Sequence, residues 1–139
     1  MAKVKTIEND ASVETFVSKV AGEEMCQDCA TLIRVMSEVT GSPAKMWGGS
    51  IIGFDKYHYR YANGKPGEIC LLGFSPRKQG LVLYIGPDAE RDRDLLAKLA
   101  KVKAVGSCLH VNHLRDLHLP TLKRLMRRAA KARREASVK

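Results

Sequence analysis

Apolar positions spaced three and four residues apart predict two α-helices near the start of the chain. The first is predicted to follow Ser12, a residue type that caps helix N-termini, and its apolar stripe consists of Val13, Phe16, Val17 and Val20. The second is predicted from about Glu23 to Val39, with an apolar face formed by Met25, Cys29, Leu32, Ile33 and Met36. Gly41 lies where a glycine commonly ends a helix.

The middle of the chain changes to a two-residue alternation, which is typical of half-buried strands and is clearest in Tyr57-His58-Tyr59-Arg60-Tyr61. Strands are predicted over residues 50–54, 57–61, 68–74, 81–85 and 107–111. Short loops join the first four strands, so these are expected to form an antiparallel meander.

Two more helices complete the pattern, one over about residues 91–102 and a last one with Pro120 at its first position. The element order ααββββαβα predicts an α+β fold, with an antiparallel sheet of about five strands and the helices packed on one face. Residues 1–10 are predicted to be a loose leader, residues 11–128 the domain, and residues 129–139 a basic helical extension.

The composition agrees with one soluble domain. The 139 residues are 45% hydrophobic and 28% charged, which is too apolar for intrinsic disorder. No apolar run approaches the roughly 20 residues of a membrane span, and the polar amino terminus lacks an export signal. We therefore expect a cytoplasmic protein with no membrane association.

The net charge of +9 is concentrated in the last helix. Residues 120–139 contain eight of the 24 Lys and Arg residues and a single acid. This predicts weak, salt-sensitive binding of polyanions or nucleic acid through Lys123, Arg124, Arg127, Arg128, Lys131 and Arg134. The alternative is a solvated helix face without a partner.

A series of short motifs carries a family resemblance: Thr40-Gly41, Met46-Trp47-Gly48-Gly49-Ser50-Ile51-Ile52-Gly53-Phe54, Gly73-Phe74-Ser75-Pro76-Arg77-Lys78, Leu83-Tyr84-Ile85 and Cys108-Leu109, together with the tyrosine strand. In this order they resemble the YdhG-like domain-of-unknown-function family over about residues 12–128. The sequence departs from the family pattern at Asp55, where a glycine is common, and at His110, where a tyrosine is expected. The resemblance implies a small bacterial cytosolic protein with a frataxin-like fold, a link to iron handling for at least one member, and no established reaction.

Cys26 and Cys29 form a C-x-x-C motif, which is found in zinc sites and redox pairs. Cys70 and Cys108 stand alone in separate predicted strands, so a second ligand pair is missing. Both cysteines of the motif lie on or beside the apolar face of a predicted helix. We expect them to be buried, and we expect neither a bound metal nor a cofactor.

The other polar groups allow one further metal hypothesis. His58, His110, His113 and His118 form no helical metal-binding motif. Frataxin-like iron binding is an alternative because hard oxygen ligands suit iron and acids cluster near the amino terminus, namely Glu8, Asp10, Glu14, Glu23, Glu24 and Asp28. Complementarity to helix dipoles also explains these acids. No nucleotide-binding or nucleophile motif occurs, so no catalytic residue is predicted and an enzyme is not favoured.

A ligand site is predicted where the tyrosine strand meets the loop that begins at Ser75. Ser75, Arg77 and Lys78 offer a hydroxyl, a guanidinium and an ammonium group within four residues. Trp47, Tyr57 and Tyr59 supply aromatic surface. The sequence thus favours a non-catalytic binding module for a small anionic ligand or a protein partner, with a frataxin-like iron chaperone and a polyanion adaptor as alternatives.

Overall fold

Seven antiparallel strands form one sheet in the part of the chain that the structure, a computed structural model, describes: residues 8–9, 12–20, 22–60, 63–77, 80–85, 92–99, 103–105 and 108–136. The strands are β1 (Glu8–Asn9), β2 (Ala44–Trp47), β3 (Ile51–Arg60), β4 (Pro66–Arg77), β5 (Gly80–Tyr84), β6 (Lys103–Val105) and β7 (Cys108–Val111). Their order in the sheet is β1-β2-β3-β4-β5-β7-β6. Five of them have four residues or more, and β1 and β6 are short edge strands.

The helices are α1 (Val13–Ser18), α2 (Glu23–Thr40), α3 (Arg93–Lys98) and α4 (Leu119–Ala136), with a short 3-10 helix over Leu114–Asp116. Ser12 caps α1 as predicted, because its side chain accepts a hydrogen bond from the Thr15 backbone N–H at 3.1 Å. Gly41 ends α2 in the left-handed conformation. Helix α4 begins one residue before Pro120, which therefore lies in its first turn.

The core lies between one face of the sheet and the helices. From the sheet come Ile52, Phe54, Leu72, Phe74, Leu83 and Leu109, and from α2 and α4 come Leu32, Met36, Leu122, Leu125 and Met126. Helix α3 adds Leu95, and α1 packs against the same core through Val13, Phe16 and Val17. The predicted α+β class, with an antiparallel sheet and helices on one face, is confirmed.

The strand bounds differ from the prediction in three ways. Strand β4 continues through Arg77, although a loop was predicted to begin at Ser75. Residues 51–60 form one strand, β3, where two strands were expected, and Tyr61 lies outside the described residues. Strands β1, β2 and β6 were not predicted at all, and β1 lies within the predicted leader of residues 1–10. These three strands have at most four residues each, too few to show a clear alternation.

Asp55 explains why β3 resembles two strands in sequence. Side chains alternate between the two faces of a strand, and Ile52 and Phe54 both point to the helices. Asp55 then adopts the left-handed conformation with φ 57°, and Tyr57 packs on the helix side three residues after Phe54. The alternation is therefore reversed at Asp55, and a search for one continuous period divides the strand there.

Strand β4 shows the same reversal opposite Asp55. Leu71 and Leu72 are neighbours in sequence, yet both belong to the core. Cys70 points to the other face, where its side chain lies against Gly73. The register pairs Phe54 with Leu72 and Lys56 with Cys70 but contains no pair between Asp55 and Leu71. The ladder is thus open at this one position.

Arg133 on α4 fills the opening. Its Nη1 donates hydrogen bonds to the carbonyl oxygens of Leu71 at 2.9 Å and Cys70 at 3.4 Å. Its guanidinium group also lies 5.3 Å from the centre of the Tyr57 ring, within the range of a cation–π contact. The end of α4 is therefore joined to the middle of the sheet.

Arg134 makes a second link beside it. Its Nη2 donates to the Thr40 carbonyl oxygen at 2.6 Å and to Asp55 Oδ2 at 3.1 Å. Helix α4 is continuous through residue 129, where the sequence analysis began a basic extension, and Ala129 and Ala130 are buried in the core. Residues 129–136 consequently pack as part of the domain.

We expect Arg133→Ala to lower the free energy of unfolding by about 1–3 kcal/mol, because the Leu71 carbonyl loses its hydrogen bond and Tyr57 loses its cover. Urea unfolding followed by circular dichroism measures the change. The matched control is Arg124→Ala on the exposed face of the same helix, for which we expect a change within about 0.5 kcal/mol. Equal effects of the two substitutions would contradict a stabilising role for Arg133.

Candidate functional site

The predicted meeting of the tyrosine strand with the Ser75 loop does not occur. Tyr57 is paired with Ile69 on β4, whereas Arg77 lies at the far end of the same strand and is paired with Gly80. Eight residues of β4 separate Ile69 from Arg77, which is roughly 26 Å at about 3.3 Å per residue. The prediction of one site containing Tyr57 and Arg77 is therefore wrong, because strand order and register set this distance and local sequence does not.

The other residues of that predicted site are dispersed as well. Trp47 is 1% exposed, and Ser75 is fully buried with its hydroxyl donating to the Ser50 carbonyl oxygen at 2.7 Å. Both belong to the packing of the sheet. Tyr59 lies in β3 opposite Gly67, its side chain is outside the described part of the structure, and Lys78 lies outside the described residues.

Arg77 instead lies with residues of β5 and β7 on the face of the sheet opposite the helices, which we call the open face. Leu81, Leu83 and Leu109 point into the core, so Tyr84 and His110 point away from it. Arg77 Nη2 donates a hydrogen bond to Tyr84 Oη at 2.9 Å.

Arg77 and His110 also line a small cavity of about 120 Å³, whose other lining residues are Gly80, Leu81, Val82 and Val111. Val82, which is 7% exposed, is paired with His110 in the register and forms an apolar floor. At Gly80 a Cβ atom would lie 2.5 Å from the Val111 carbonyl oxygen, so only glycine allows β5 to begin so close to β7. We call Arg77, Tyr84 and His110 the open-face cluster.

The open-face cluster carries positive charge without a compensating acid. Among the described residues, Arg77 contacts no carboxylate and His110 has no hydrogen-bond or ion-pair partner. The other three histidines are paired: His58 with Glu68 at 3.6 Å, His113 with Glu24 at 3.6 Å, and His118 with Thr121 at 2.6 Å. Sequence analysis missed His110 as a member of a site, although its position two residues after Cys108 predicts that both share a strand face.

The predicted polyanion surface on α4 is reduced by internal pairing. Lys123 binds Glu38 at 2.8 Å, Arg128 binds both oxygens of Asp94 at 2.8 and 3.1 Å, and Arg134 binds Asp55. The hydrogen bond from Lys123 lowers the pKa of Glu38, and that from Arg128 lowers the pKa of Asp94. The charge of Arg127 also lowers the pKa of Glu38, so the members left without a partner in the described part of the chain are Arg124 and Lys131.

Two of the predicted amino-terminal acids meet a histidine. Glu24, Asp28 and His113 each offer one ligand atom, and these atoms lie within 4.8 Å of one another. Burial raises the pKa of Asp28, and the charge of Glu24 adds to the increase. The cluster also has internal partners, since the Leu114 N–H donates to Asp28 at 3.3 Å and Arg115 pairs with Glu24 at 3.3 Å.

The remaining predicted acids do not join this cluster. Glu14 and Glu23 are exposed, Glu8 lies in β1, and Asp10 is outside the described residues.

The four cysteines are free thiols and form no metal cluster among the described residues. Burial raises the pKa of Cys29 and of Cys70 to about 12. Cys26 is half-buried, and its thiol donates to the Val20 carbonyl oxygen at 3.4 Å. The C-x-x-C motif therefore contributes to packing at the helix face, as the apolar stripe predicted for Cys29.

We expect Cys29 and Cys70 to resist alkylation in the folded protein, because the thiolate is the reactive form and a pKa near 12 leaves almost none of it at neutral pH. Iodoacetamide labelling at pH 8, followed by mass spectrometry, should modify them only after unfolding in urea. The half-buried Cys26 and Cys108 are the internal comparison. Rapid labelling of Cys29 without denaturant would show that its thiol is accessible and ionised.

No protein-family model, curated protein or solved structure matches this chain. The resemblance to the YdhG-like family thus stays a prediction from the quoted motifs. Within the described residues, no helix combines the length and apolarity needed to cross a membrane.

Proposed function

We propose that the protein is a cytoplasmic binding module that holds a small anion, a carboxylate or a phosphate-type group, at the open-face cluster. The observation that carries this proposal is an arginine, Arg77, held by the Tyr84 hydroxyl beside a cavity that His110 also lines. An uncompensated guanidinium next to an unpaired imidazole favours a negatively charged occupant.

The hydrogen bond between Arg77 and Tyr84 reduces the conformational entropy that the arginine side chain loses when an anion binds. Tyr84 accepts a hydrogen bond from Arg77, so it limits the rotamers of the arginine while its own hydroxyl proton remains free to bond a ligand oxygen. The remaining N–H groups of Arg77 can form two parallel hydrogen bonds with one carboxylate or phosphate. A cavity of about 120 Å³ fits one anionic group, whereas whole drug-sized ligands occupy about 300 Å³ or more.

Isothermal titration calorimetry with inorganic phosphate, sulfate and acetate tests the proposal. We expect Arg77→Ala to weaken binding at least tenfold, because a charge-assisted hydrogen bond is worth about 1.5–3 kcal/mol. Arg124→Ala is the matched control, since it removes the same charge from an exposed and unpaired site on α4. Equal affinities of the two variants would show that net charge, and not this cluster, attracts the anion.

A second candidate function is the binding of iron or another divalent cation, and the approach of Glu24, Asp28 and His113 favours it. Two carboxylates and an imidazole suit such ions. The internal pairing of this cluster with Arg115 and Leu114 makes it the weaker candidate.

A metal site at this cluster predicts that Asp28→Asn weakens Fe²⁺ or Zn²⁺ binding at least tenfold, whereas Glu23→Gln, on the same helix and exposed, has little effect. Affinity should also fall as the pH decreases, because the raised pKa of Asp28 makes protons compete with the metal at a higher pH than usual. Anaerobic metal titrations of the wild type and both variants, repeated at several pH values, measure the metal affinity and its pH dependence. Identical metal affinities of the wild type and Asp28→Asn would exclude this cluster.

Polyanion binding through α4 stays a prediction that now depends on Arg124 and Lys131, which are spaced i and i+7 and so share one helix face.

A further inference from the structure

We propose that anion binding at the open-face cluster is coupled to proton uptake by His110, so that the site selects dianionic, phosphate-type oxyanions and binds them more tightly as the pH falls. This inference rests on the proposed function. It starts from the position of His110 beside the cavity, exposed and without a partner among the described residues.

Within the described structure, no acid lines the cavity beside His110. Val82 of β5 lies opposite His110, Arg77 of β4 lines the same cavity, Tyr84 of β5 contacts Arg77, and Cys108 lies two residues before His110 on β7. On the outer side, Lys103 of β6 is its partner in the register. Among the described residues, no carboxylate pairs with the ring.

The position of His110 at the cavity links protonation of its imidazole to anion binding. An imidazole is the side chain that ordinarily changes charge between pH 5 and 8. A dianion bound beside the ring favours a positive charge on His110. Because each event stabilises the other, the anion should bind with net uptake of a proton, and the coupling is reciprocal.

The presence of both Arg77 and His110 at the cavity favours a dianion over a monoanion. The guanidinium fork of Arg77 can satisfy a monoanionic carboxylate by itself. A tetrahedral dianion has further oxygens that can accept hydrogen bonds from Tyr84 and from protonated His110, and its second charge is balanced by the imidazolium. Sulfate is the sharper probe for this comparison because it keeps two charges over the whole range from pH 5.5 to 8.5.

The test is calorimetric titration with sulfate and with acetate across that pH range at constant ionic strength, which keeps charge screening equal. We expect the affinity for sulfate to fall at least tenfold between pH 6 and 8, equivalent to about 1.4 kcal/mol. The affinity for acetate should change less than about threefold. Titrations near pH 7.5 in two buffers of different ionisation enthalpy should show net proton uptake with sulfate.

Two substitutions of His110 make the test specific. His110→Gln should remove the pH dependence and leave weak binding, whereas His110→Lys, which is charged throughout, should retain high affinity at pH 8. His58→Gln is the matched control, since it removes a histidine that pairs with Glu68 elsewhere, and it should keep the wild-type pH profile. His110 is exposed, so the variants should fold, and circular dichroism checks this.

The outcomes separate the two proposals. Sulfate binding that depends on Arg77 but shows neither pH dependence nor proton uptake overturns this inference and leaves the proposed function intact. An unchanged pH profile in His110→Gln overturns it too, because the proton then binds elsewhere. Binding of acetate without any binding of sulfate overturns this inference alone. Binding of neither sulfate nor acetate at any pH, with wild type and Arg77→Ala alike, refutes the proposed function and this inference with it.

Discussion

The reversal of side-chain alternation at Asp55 and Leu71 is the constraint on which the rest of the sheet depends. A continuous alternation would turn Tyr57 away from the helices and Cys70 toward them. The reversal does the opposite, so the helix side gains an aromatic ring and the open face gains a small thiol. It also leaves the Leu71 carbonyl oxygen unpaired within the ladder, and Arg133 of α4 satisfies it. The last helix is thereby attached to the strands at the point where their pairing is interrupted.

The same reversal determines how the centre of the open face is packed. On the open face, Cys70 and the Trp47 indole lie against Gly53, where a Cβ atom would approach Trp47 Cδ1 to 2.5 Å. This close packing fills the centre of the face and leaves Trp47 Nε1 without a hydrogen-bond partner. At the other end of β4, Arg77 and His110 line a cavity instead. The chemistry of the open face is therefore concentrated where β4, β5 and β7 lie side by side.

Local patterns predicted the helices and the fold class, because caps such as Ser12 and Gly41 and a helical apolar period are properties of short segments. They failed for β3, because one left-handed residue reversed the period and made one strand resemble two. Its signal in the sequence was Asp55 itself, because aspartate is one of the non-glycine residue types that more often adopt the left-handed conformation. Local patterns failed for the site as well. Arg77 and Tyr57 lie on neighbouring strands, but the register places Tyr57 opposite Ile69, eight residues along β4 from Arg77. Which residues meet across strands is a non-local property that no single segment encodes.

The charge of the basic helix is a poor guide to binding in this protein, because several of its cationic side chains already have partners within the fold. Arg128, Arg133 and Arg134 on the basic helix contact Asp94, backbone carbonyl oxygens and Asp55, and these contacts stabilise the fold. A cationic side chain that is available to a ligand is better identified by the absence of a carboxylate partner than by the total number of cations. Arg77 meets that criterion among the described residues, and the His110 imidazole, which also has no partner there, lines the same cavity. In the proposed site, Arg77 and His110 line one cavity and so present their N–H groups in a defined geometry, whereas a charged helix face attracts polyanions in any orientation.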